Sequence, residues 1–360
     1  MQTPIVDGHL DMAGNVLIGR DYDLTAAEVR AGDPPARPKC MVTLPELERG
    51  GVAVAFATLY VGTSTFDADG NGVYATPPDE DAKKQLDVYR DWESKGKARI
   101  ILTKDDLDAH MKKWESDRKL GVVILIEGGD SITSPDKLPE WFDAGVRIVG
   151  PAWSQTRYCG GTRRPGPLTA MGRELVEGMR ELGIIFDASH IAEQSFWDAI
   201  DAGPGRIIAT HSNARAIVPG GVLIGGDRQL TDEMIEAIGK RDGVIGLVLF
   251  NGFLTPEWEA GLIGSVLTKV LLGPRPDAAP QNDVTLDHVR AHAERMASLI
   301  GWHRIAIGSD FDGGLGVDET PVEIGSAADL SLVAEIAPPD ARAGLLGGNW
   351  LRLLSEALPA

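Results

Sequence analysis

Short continuous runs of apolar residues recur along the chain, and longer stretches with helical periodicity separate them. The run at 51–60 has almost no polar side chain, which is typical of a strand buried on both faces of a parallel sheet. Similar runs predict about eight strands, near 5–11 and at 51–60, 121–127, 146–153, 184–190, 206–211, 243–250 and 304–310. A further short strand is expected at 100–102.

Amphipathic helices are predicted between these strands. They cover 44–49, 79–95, 104–118, 138–144, 169–182, 192–202, 231–241 and 286–300, and the tail carries two more. Gly183 stands where a helix C-terminus needs a residue that tolerates a left-handed backbone. Two segments interrupt the alternation: a Gly- and Asp-rich loop at 63–78 and a long irregular stretch at 255–283.

This alternation over 360 residues predicts an α/β fold, a single TIM-type (β/α)8 barrel domain, 1–360, with extra loops and C-terminal helices. An open, doubly wound sheet is the alternative. The barrel is favoured because polar residues suited to chemistry end five or six strands, and a barrel gathers all such ends at one face. No change of composition divides the chain into halves.

Metal-binding side chains stand at these strand ends. His9 and Asp11 are two residues apart, so on a strand they point to the same side. Later strands end on four more such residues: Glu127, His190, His211 and Asp310. One buried histidine alone is more often a hydrogen-bonded core residue, but burying three imidazoles and three carboxylates together without a cation would be costly. The mixed nitrogen and oxygen donors favour zinc.

Six candidate ligands exceed the number that one tetrahedral ion takes. The sequence therefore favours two metal ions, about 3.5–4 Å apart, bridged by a carboxylate and a water. Such a pair lowers the pKa of the water between the ions and polarises a carbonyl group. Asp310 would then carry the proton from the water to a leaving amine.

The remaining histidines are not expected to bind metal. His288 and His292 have the i, i+4 spacing of a helical zinc site, but no glutamate stands between them, and their helix is expected on the outer surface. His110 belongs to a charged helix, and His303 precedes a strand at the opposite end of the barrel.

The formal net charge of −18 argues against nucleic acid and against an anionic membrane as partners, because both require clustered Lys and Arg. Cys40 and Cys159 are too few for a disulfide framework and form no C-x-x-C pair, which favours a reducing compartment. The sequence shows neither a signal-peptide pattern nor an apolar run of membrane-spanning length. A cytoplasmic location is therefore expected.

Six short motifs follow one another along the whole chain: Asp7-Gly-His-Leu-Asp11, Ile126-Glu-Gly-Gly129, Asp187-Ala-Ser-His190, His211-Ser-Asn-Ala-Arg215, Gly308-Ser-Asp-Phe-Asp-Gly313 and Gly347-Gly-Asn-Trp350. In this order they resemble the renal (membrane) dipeptidase family, which belongs to the amidohydrolase superfamily of (β/α)8 barrels. The resemblance implies a dipeptidase with two zinc ions (Zn2+) per chain. It assigns one zinc to His9 and Asp11, the bridge to Glu127, the second zinc to His190 and His211, and the acid/base role to Asp310.

The resemblance also implies an arginine that holds the C-terminal carboxylate of a dipeptide. Arg228 matches it, and Arg215 is a rival because the segment that follows His211 is longer than expected and Gln229 stands where asparagine is usual. Trp153 stands where the family has a substrate-contacting histidine. The resemblance implies a small dipeptide as the substrate, and L-Xaa-D-Xaa dipeptides are among those expected. It also implies a second copy of the chain as partner, in a homodimer.

Two other functions remain open on the same residues. One is a different amidohydrolase reaction, on another small amide, an N-acyl amino acid or a lactone. The other is a metal-binding barrel without catalysis. Asp310 argues against the second, because a protein that only binds its ligand has no use for an acid/base residue beside the metals.

Overall fold

The computed structural model describes residues 3–35, 37–63, 65–66, 72–220, 226–258 and 283–360. Eight parallel strands form its central sheet: β1 (Ile5–Leu10), β2 (Val52–Tyr60), β3 (Leu120–Glu127), β4 (Val146–Gly150), β5 (Ile185–Asp187), β6 (Ile207–Ile208), β7 (Ile245–Leu247) and β8 (Ile305–Ile307). Nearly every residue of these strands is buried, as expected for a parallel sheet covered by helices. The predicted short strand is Ala98–Ile100, which pairs with β3 outside the ring.

The strands follow the spatial order β7-β8-β1-β2-β3-β4-β5-β6. The two ends of this sheet meet, because Ala209, directly after β6, pairs in parallel with Ile245 of β7. The Ala209 N–H donates to the Val244 carbonyl at 3.1 Å, and the Gly246 N–H donates to the Ala209 carbonyl at 2.8 Å. The predicted (β/α)8 barrel is confirmed, and the open doubly wound sheet is wrong.

Helices lie between most of the strands. They are Met12–Leu17, Ala26–Gly32, Leu44–Gly50, Pro78–Ser94, Lys104–Asp117, Leu138–Asp143, Ala170–Leu182, Glu193–Ala202, Asp232–Gly239, Leu286–Ile300 and Asn349–Ala357. The eight helices predicted between the strands agree with these bounds to within two residues. Gly183 ends its helix with a left-handed backbone, as expected. In the tail, a 3-10 helix (Ala327–Ile336) and a π-helical turn (Gly344–Gly348) precede the last helix.

Five strands, β4 to β8, end three residues earlier than predicted. β5, β6 and β8 each stop three residues before His190, His211 and Asp310, so these side chains stand on the loops that follow the strands. His190 and Asp310 have left-handed backbones, with φ of 64° and 63°. This conformation lies outside the β region, so neither residue can belong to a regular strand.

A tryptophan from the last helix closes the amino-terminal end of the barrel. Trp350 is fully buried, donates its indole N–H to the Ile307 carbonyl at 2.8 Å and packs edge-on against Phe56. The neighbouring Asn349 donates to the carbonyl of Ile305, the first residue of β8. The Gly-Gly-Asn-Trp motif therefore builds the barrel floor, at the opposite end from the strand ends that carry the candidate ligands.

Two glycines allow the backbone that follows β6 to come close to the neighbouring strands β7 and β8. A Cβ atom on Gly308 would lie 1.7 Å from the Thr210 carbonyl oxygen, and one on Gly246 would lie 2.0 Å from the same atom. Both positions must therefore lack a side chain. The close approach draws Thr210, and with it His211, towards the barrel axis.

Parts of two predicted loops, at 64, 67–71 and 259–282, lie outside the described residues. Within the described ranges, no helix is long and apolar enough to cross a membrane. Cys40 and Cys159 are both buried and free. The single-domain organisation stays a prediction.

Candidate functional site

Side chains from several strand ends meet in one cluster at the carboxyl-terminal face of the barrel, with Glu127 at its centre. The Oε2 atom of Glu127 lies 3.5 Å from His9 Nε2, whereas its Oε1 atom lies 3.1 Å from His190 Nε2 and 3.4 Å from His211 Nε2. Asp11 Oδ2 is 3.4 Å from His9 Nε2. The two oxygens of one carboxylate therefore face two separate groups of donors, which is the arrangement that a bridging ligand requires.

Asp310 lies beside this cluster, with its Oδ1 atom 4.0 Å from His9 Nε2. Three overlapping sets of residues have all their ligand atoms within 4.8 Å of one another: His9, Asp11 and Glu127; Glu127, His190 and His211; and His9, His211 and Asp310. The structure thus brings together all six residues that the sequence proposes around the metals. Their individual roles stay predictions.

Hydroxyl groups on the outer side of two imidazoles can hold the ring proton on the nitrogen that faces away from the cluster. His211 Nδ1 is 2.9 Å from the Thr210 hydroxyl, which itself donates to Asp187 at 2.6 Å, so we assign the proton of the first bond to His211 Nδ1. His190 Nδ1 is 3.0 Å from the Thr162 hydroxyl, which can accept its proton. When both imidazoles carry their proton on Nδ1, both Nε2 atoms present lone pairs, and they lie 2.9 Å apart. Two lone pairs this close, beside a carboxylate, repel each other unless a cation lies between them, so the donors fit a metal ion.

Asp187 holds the loops that carry these histidines. It is buried and accepts hydrogen bonds from the Ser189 N–H at 2.9 Å, the Thr210 N–H at 2.8 Å and the Thr210 hydroxyl at 2.6 Å. Because Thr210 directly precedes His211, one carboxylate determines the position of that histidine and of its hydrogen-bond partner. The sequence prediction missed this role, although Asp187 opens one of the motifs.

Asp7 performs the same task between β1 and β8. It accepts from the His9 N–H at 3.1 Å, and from the N–H and hydroxyl of Ser309 at 2.9 and 2.6 Å. Ser309 directly precedes Asp310. In the sequence, each of these two loop-holding aspartates stands two or three residues before a histidine of the metal cluster. The sequence analysis included this pattern in the motifs but assigned it no role.

The loop after β8 has a backbone shaped around its carboxylates. A Cβ atom on Gly313 would lie 2.0 Å from Asp310 Oδ1 and 2.7 Å from Asp11 Oδ2, so the two carboxylates occupy the space that a side chain would need. A left-handed backbone at a residue other than glycine is unfavourable and persists only where its surroundings enforce it. Its occurrence at both His190 and Asp310 is typical of a functional site.

Burial and neighbouring charges shift the protonation of the cluster. Burial alone would raise the pKa of Glu127, but the surrounding histidines bring it well below its usual range. Burial lowers the pKa of His190 to about 4, helped by the charge of Arg228. Burial likewise lowers the pKa of His211. Glu127 is therefore a carboxylate and the imidazoles of His190 and His211 are neutral, the forms in which these groups bind metals. Burial acts to lower the pKa of His9, but Glu127 and Asp11 raise it well above its usual range.

A cavity of about 930 Å³ opens over the cluster. Its floor includes Glu127 and Asp310, and its walls include Arg228 and Trp153. Trp153 is 38% exposed, and its ring centroid lies 6.1 Å from that of His190. The side chain at this position therefore faces the cavity rather than packing beneath the barrel rim.

Arg228 is 1% exposed and, among the described residues, donates only to uncharged groups, namely the His211 carbonyl at 2.9 Å and the Ser212 hydroxyl at 3.3 Å. Its Nε atom has no hydrogen-bond partner among these residues. In the part of the chain that the structure describes, no carboxylate lies within ion-pair distance of its guanidinium. A buried cation that lines a cavity and has no anionic partner is suited to an anionic group of a ligand.

Comparisons with known proteins identify the family. The family model described as membrane dipeptidase (peptidase family M19) matches residues 1–359. The chain belongs to this family. It is also 30% identical over 278 residues to an uncharacterized Klebsiella pneumoniae protein encoded in the pqqA 5′ region, an alignment that covers 73% of this chain and 90% of that protein. The resemblance seen in the motifs is thereby confirmed.

Solved structures of two metallopeptidases share the fold. One, described as a dipeptidase of family M19, is 24% identical, covers 100% of both chains and has a TM-score of 0.75. A metallopeptidase from Rhodobacter sphaeroides, solved with a phosphinate mimic of the dipeptide L-Ala-D-Ala, is 23% identical, covers 99% of this chain and 100% of its own, and has the same TM-score. Family membership confirms the prediction of a metal-dependent dipeptidase.

Arg215, the rival to Arg228, lies outside the cavity walls of this family member. Its guanidinium is 2.6 Å from Glu193 Oε2 and donates to the Gln229 carbonyl at 3.0 Å. Its charge is already compensated, so the structure does not bring Arg215 into the site. The pairing depends on the helix that carries Glu193, and local sequence around Arg215 does not reveal it.

Among the described residues, His110, His288, His292 and His303 belong to none of the clusters of metal-binding side chains. The predicted exposed position of His292 is wrong. His292 is fully buried, accepts from the Ala214 N–H at 3.1 Å and donates to the Leu254 carbonyl at 3.2 Å. It therefore joins the outer helix to the two loops beneath it. His110 is also buried, where it contacts the Ala53 carbonyl at 2.9 Å.

Proposed function

We propose that this family member is a binuclear metal dipeptidase, with zinc as the favoured ion. His9 and Asp11 would hold one ion, His190 and His211 the other, and Glu127 would bridge them. One observation carries the proposal. Two groups of metal-type side chains, one facing each oxygen of the Glu127 carboxylate, lie at the bottom of a cavity that Arg228 also lines. The donor types suit zinc at both positions.

When bound, such a metal pair lowers the pKa of a water molecule and polarises the scissile carbonyl. Asp310 would accept a proton from the attacking water and deliver it to the leaving amine. Burial raises the pKa of Asp310 well above its usual range, against the lowering effect of His9. A raised pKa suits a carboxylate that must hold a proton between the two steps.

Arg228 would bind the free carboxylate at the C-terminal end of the substrate. Its unpartnered Nε and its cavity-facing position support this role. A bidentate pair between a guanidinium and a carboxylate is specific in geometry as well as strong. Such an anchor close to the metals leaves room for one residue on its side of the scissile bond, which selects dipeptides over longer peptides.

The substrate is expected to be a small dipeptide. The Rhodobacter sphaeroides relative holds a mimic of L-Ala-D-Ala, so L-Xaa-D-Xaa dipeptides belong among the first substrates tested. Trp153 would contact the substrate through its exposed face. The cytoplasmic location and the homodimer stay predictions.

Metal content and hydrolysis together test the proposal. Protein purified without chelators is expected to contain two equivalents of metal by elemental analysis, and His190→Ala and His211→Ala should each lower this towards one. His303→Ala, on an exposed side chain away from the cluster, is the control and should keep both ions. Hydrolysis is measured on paired L-Xaa-L-Xaa and L-Xaa-D-Xaa libraries, with N-acetyl amino acids for comparison. One equivalent or none, or hydrolysis of the N-acetyl amino acids alone, would overturn the proposal.

A further inference from the structure

Three aromatic side chains form a continuous wall of the cavity next to Arg228. We call Phe250, Phe253 and Trp258 the aromatic wall; all three line the cavity and are half-buried. Phe250 meets Phe253 edge-to-face, with ring centroids 4.8 Å apart, and meets Trp258 in the same way at 5.2 Å. The wall presents ring faces and edges and carries no charge.

The aromatic wall is attached to the candidate carboxylate anchor. The guanidinium carbon of Arg228 lies 4.4 Å from the centroid of the Phe253 ring, a cation–π contact. The Phe253 carbonyl accepts from the Gln229 amide at 3.1 Å and from the Asn213 amide at 3.3 Å. Gln229 follows Arg228 in the chain. The ring and the anchor are thus held to each other by both side-chain and backbone contacts.

Buried hydrogen bonds keep the base of the wall in place. Besides contacting Phe253, the fully buried Asn213 donates to the Val248 carbonyl at 3.0 Å. The carbonyl of Leu254, next to Phe253, accepts from His292. A wall held at this many points keeps its shape when a ligand binds, as a specificity subsite must.

The dimensions of a dipeptide determine which side chain would meet this wall. In a bidentate pair the carboxylate carbon lies about 4 Å from the guanidinium carbon, and the Cβ atom of the same residue is about 2.5 Å further on. That Cβ therefore lies up to about 6.5 Å from the guanidinium carbon, and the Phe253 centroid lies 4.4 Å from the same atom. The residue that follows the scissile bond is thus the one held beside the aromatic wall, within reach of its side chain.

We propose that the aromatic wall is the subsite for the side chain of the substrate's carboxyl-terminal residue and that it selects aromatic and large aliphatic side chains over small or acidic ones. This rests on the proposed function, because it takes Arg228 as the carboxylate anchor. An aromatic side chain buries a large apolar surface against such rings, whereas a carboxylate would lose its hydration there without gaining a partner on the wall.

The test compares kcat/KM for dipeptides with a constant amino-terminal Ala and a carboxyl-terminal Phe, Leu, Ala or Asp, each as the L and D form. Phe is expected to exceed Ala by about 10- to 100-fold, the range for burying one large apolar side chain. Phe250→Ala should reduce the Phe-to-Ala ratio at least 10-fold, mainly through KM, and Phe250→Leu should reduce it less. Trp197→Ala is the matched control, because Trp197 is an exposed aromatic outside the cavity walls, and should leave the ratio unchanged.

A flat ranking in the wild type, or an unchanged ratio in a Phe250→Ala protein that keeps its metal, would overturn the inference while leaving the dipeptidase in place. A variant that instead changes the ranking of Phe-Ala against Ala-Ala would assign the wall to the amino-terminal residue and also overturn it. If the metal-loaded wild type hydrolyses no dipeptide, the proposed function itself fails, and this inference fails with it.

Discussion

Replacing Arg228 by methionine separates its predicted role in binding from its cost to the fold. The substitution removes a buried charge while keeping an unbranched apolar side chain in its place. In the wild type, the guanidinium makes two hydrogen bonds to uncharged oxygens of the described residues, none through Nε, and a cation–π contact with Phe253. These three interactions are the ones lost on substitution.

The expected change in stability follows from the same contacts. Burial lowers the pKa of Arg228 to about 10, although Asp310 and Glu127 act to raise it. Against an ordinary value of 12.5, this shift means that the buried charge destabilises the folded state by about 3 kcal/mol. Two hydrogen bonds to neutral groups return about 1 kcal/mol each, and the cation–π contact with Phe253 returns about 1 kcal/mol more. These contributions nearly cancel the cost, so Arg228→Met should leave the free energy of unfolding unchanged to within about 1 kcal/mol, as measured by urea denaturation.

Catalysis should change far more than stability. Two charge-assisted hydrogen bonds to a carboxylate contribute about 3–6 kcal/mol, which is a factor of about 10² to 10⁴ in kcat/KM. The assay compares a dipeptide with its C-terminal amide. Wild type should prefer the free acid by that factor, and Arg228→Met should hydrolyse both equally slowly.

Arg215→Met is the matched control for this experiment. It removes an arginine from the same region that is paired with Glu193 and lies outside the cavity walls, so the preference for the free acid should persist. If Arg228→Met still favours the acid by a hundredfold, the carboxylate is bound elsewhere. A marked loss of stability in that variant would show that the charge has a structural partner.

Three further variants test other parts of the site and the fold. Asp310→Asn should keep both metal equivalents by elemental analysis and lower kcat by about 10²- to 10⁴-fold, because an amide cannot accept and pass on a proton; turnover within a few-fold of wild type would remove Asp310 from this role. Thr162→Val deletes the hydroxyl at His190 Nδ1 and should weaken metal binding about 10- to 100-fold in chelator competition, whereas Thr162→Ser should restore it. Burial lowers the pKa of His292 to about 4, below its unfolded value of 6.5, so the stability it contributes is present above pH 6.5 and is lost as the pH falls towards 4. This loss amounts to about 3 kcal/mol; the gap in unfolding free energy between wild type and His292→Gln should narrow over that interval, and a constant gap would contradict it.

The elements of the barrel could be predicted because apolar runs and helical periodicity follow directly from burial. The helix predicted at 286–300 has the same bounds in the structure, and Glu127 is the last residue of its strand. The strands before His190 and Asp310 are shorter than predicted. Their left-handed backbones are imposed by packing around the site, and residue preferences argue against them.

Most features of the site that could not be predicted from the sequence depend on contacts between distant segments. Arg228 and Arg215 could not be ranked from sequence, because the difference lies in Glu193, which neutralises only Arg215. His292 lies on the same helix face as the buried Val289 and Met296, but its hydrogen-bond partners come from the distant loops that carry Ala214 and Leu254. Partners of this kind are set by tertiary packing, and periodicity cannot report them.

Two buried aspartates, Asp7 and Asp187, fix the loops that carry the site; we call them the aspartate clamps. Asp7 and Asp187 each accept from the N–H of the residue two positions later, and from both the N–H and the hydroxyl of a residue on the next strand around the barrel, Ser309 and Thr210 respectively. Each carboxylate thus adds side-chain hydrogen bonds between neighbouring strands at the point where their regular pairing ends. The residue after each clamped hydroxyl is Asp310 or His211. Because buried carboxylates with several hydrogen bonds have few alternative arrangements, these clamps position one member of the cluster on each loop with the accuracy that a shared metal site demands.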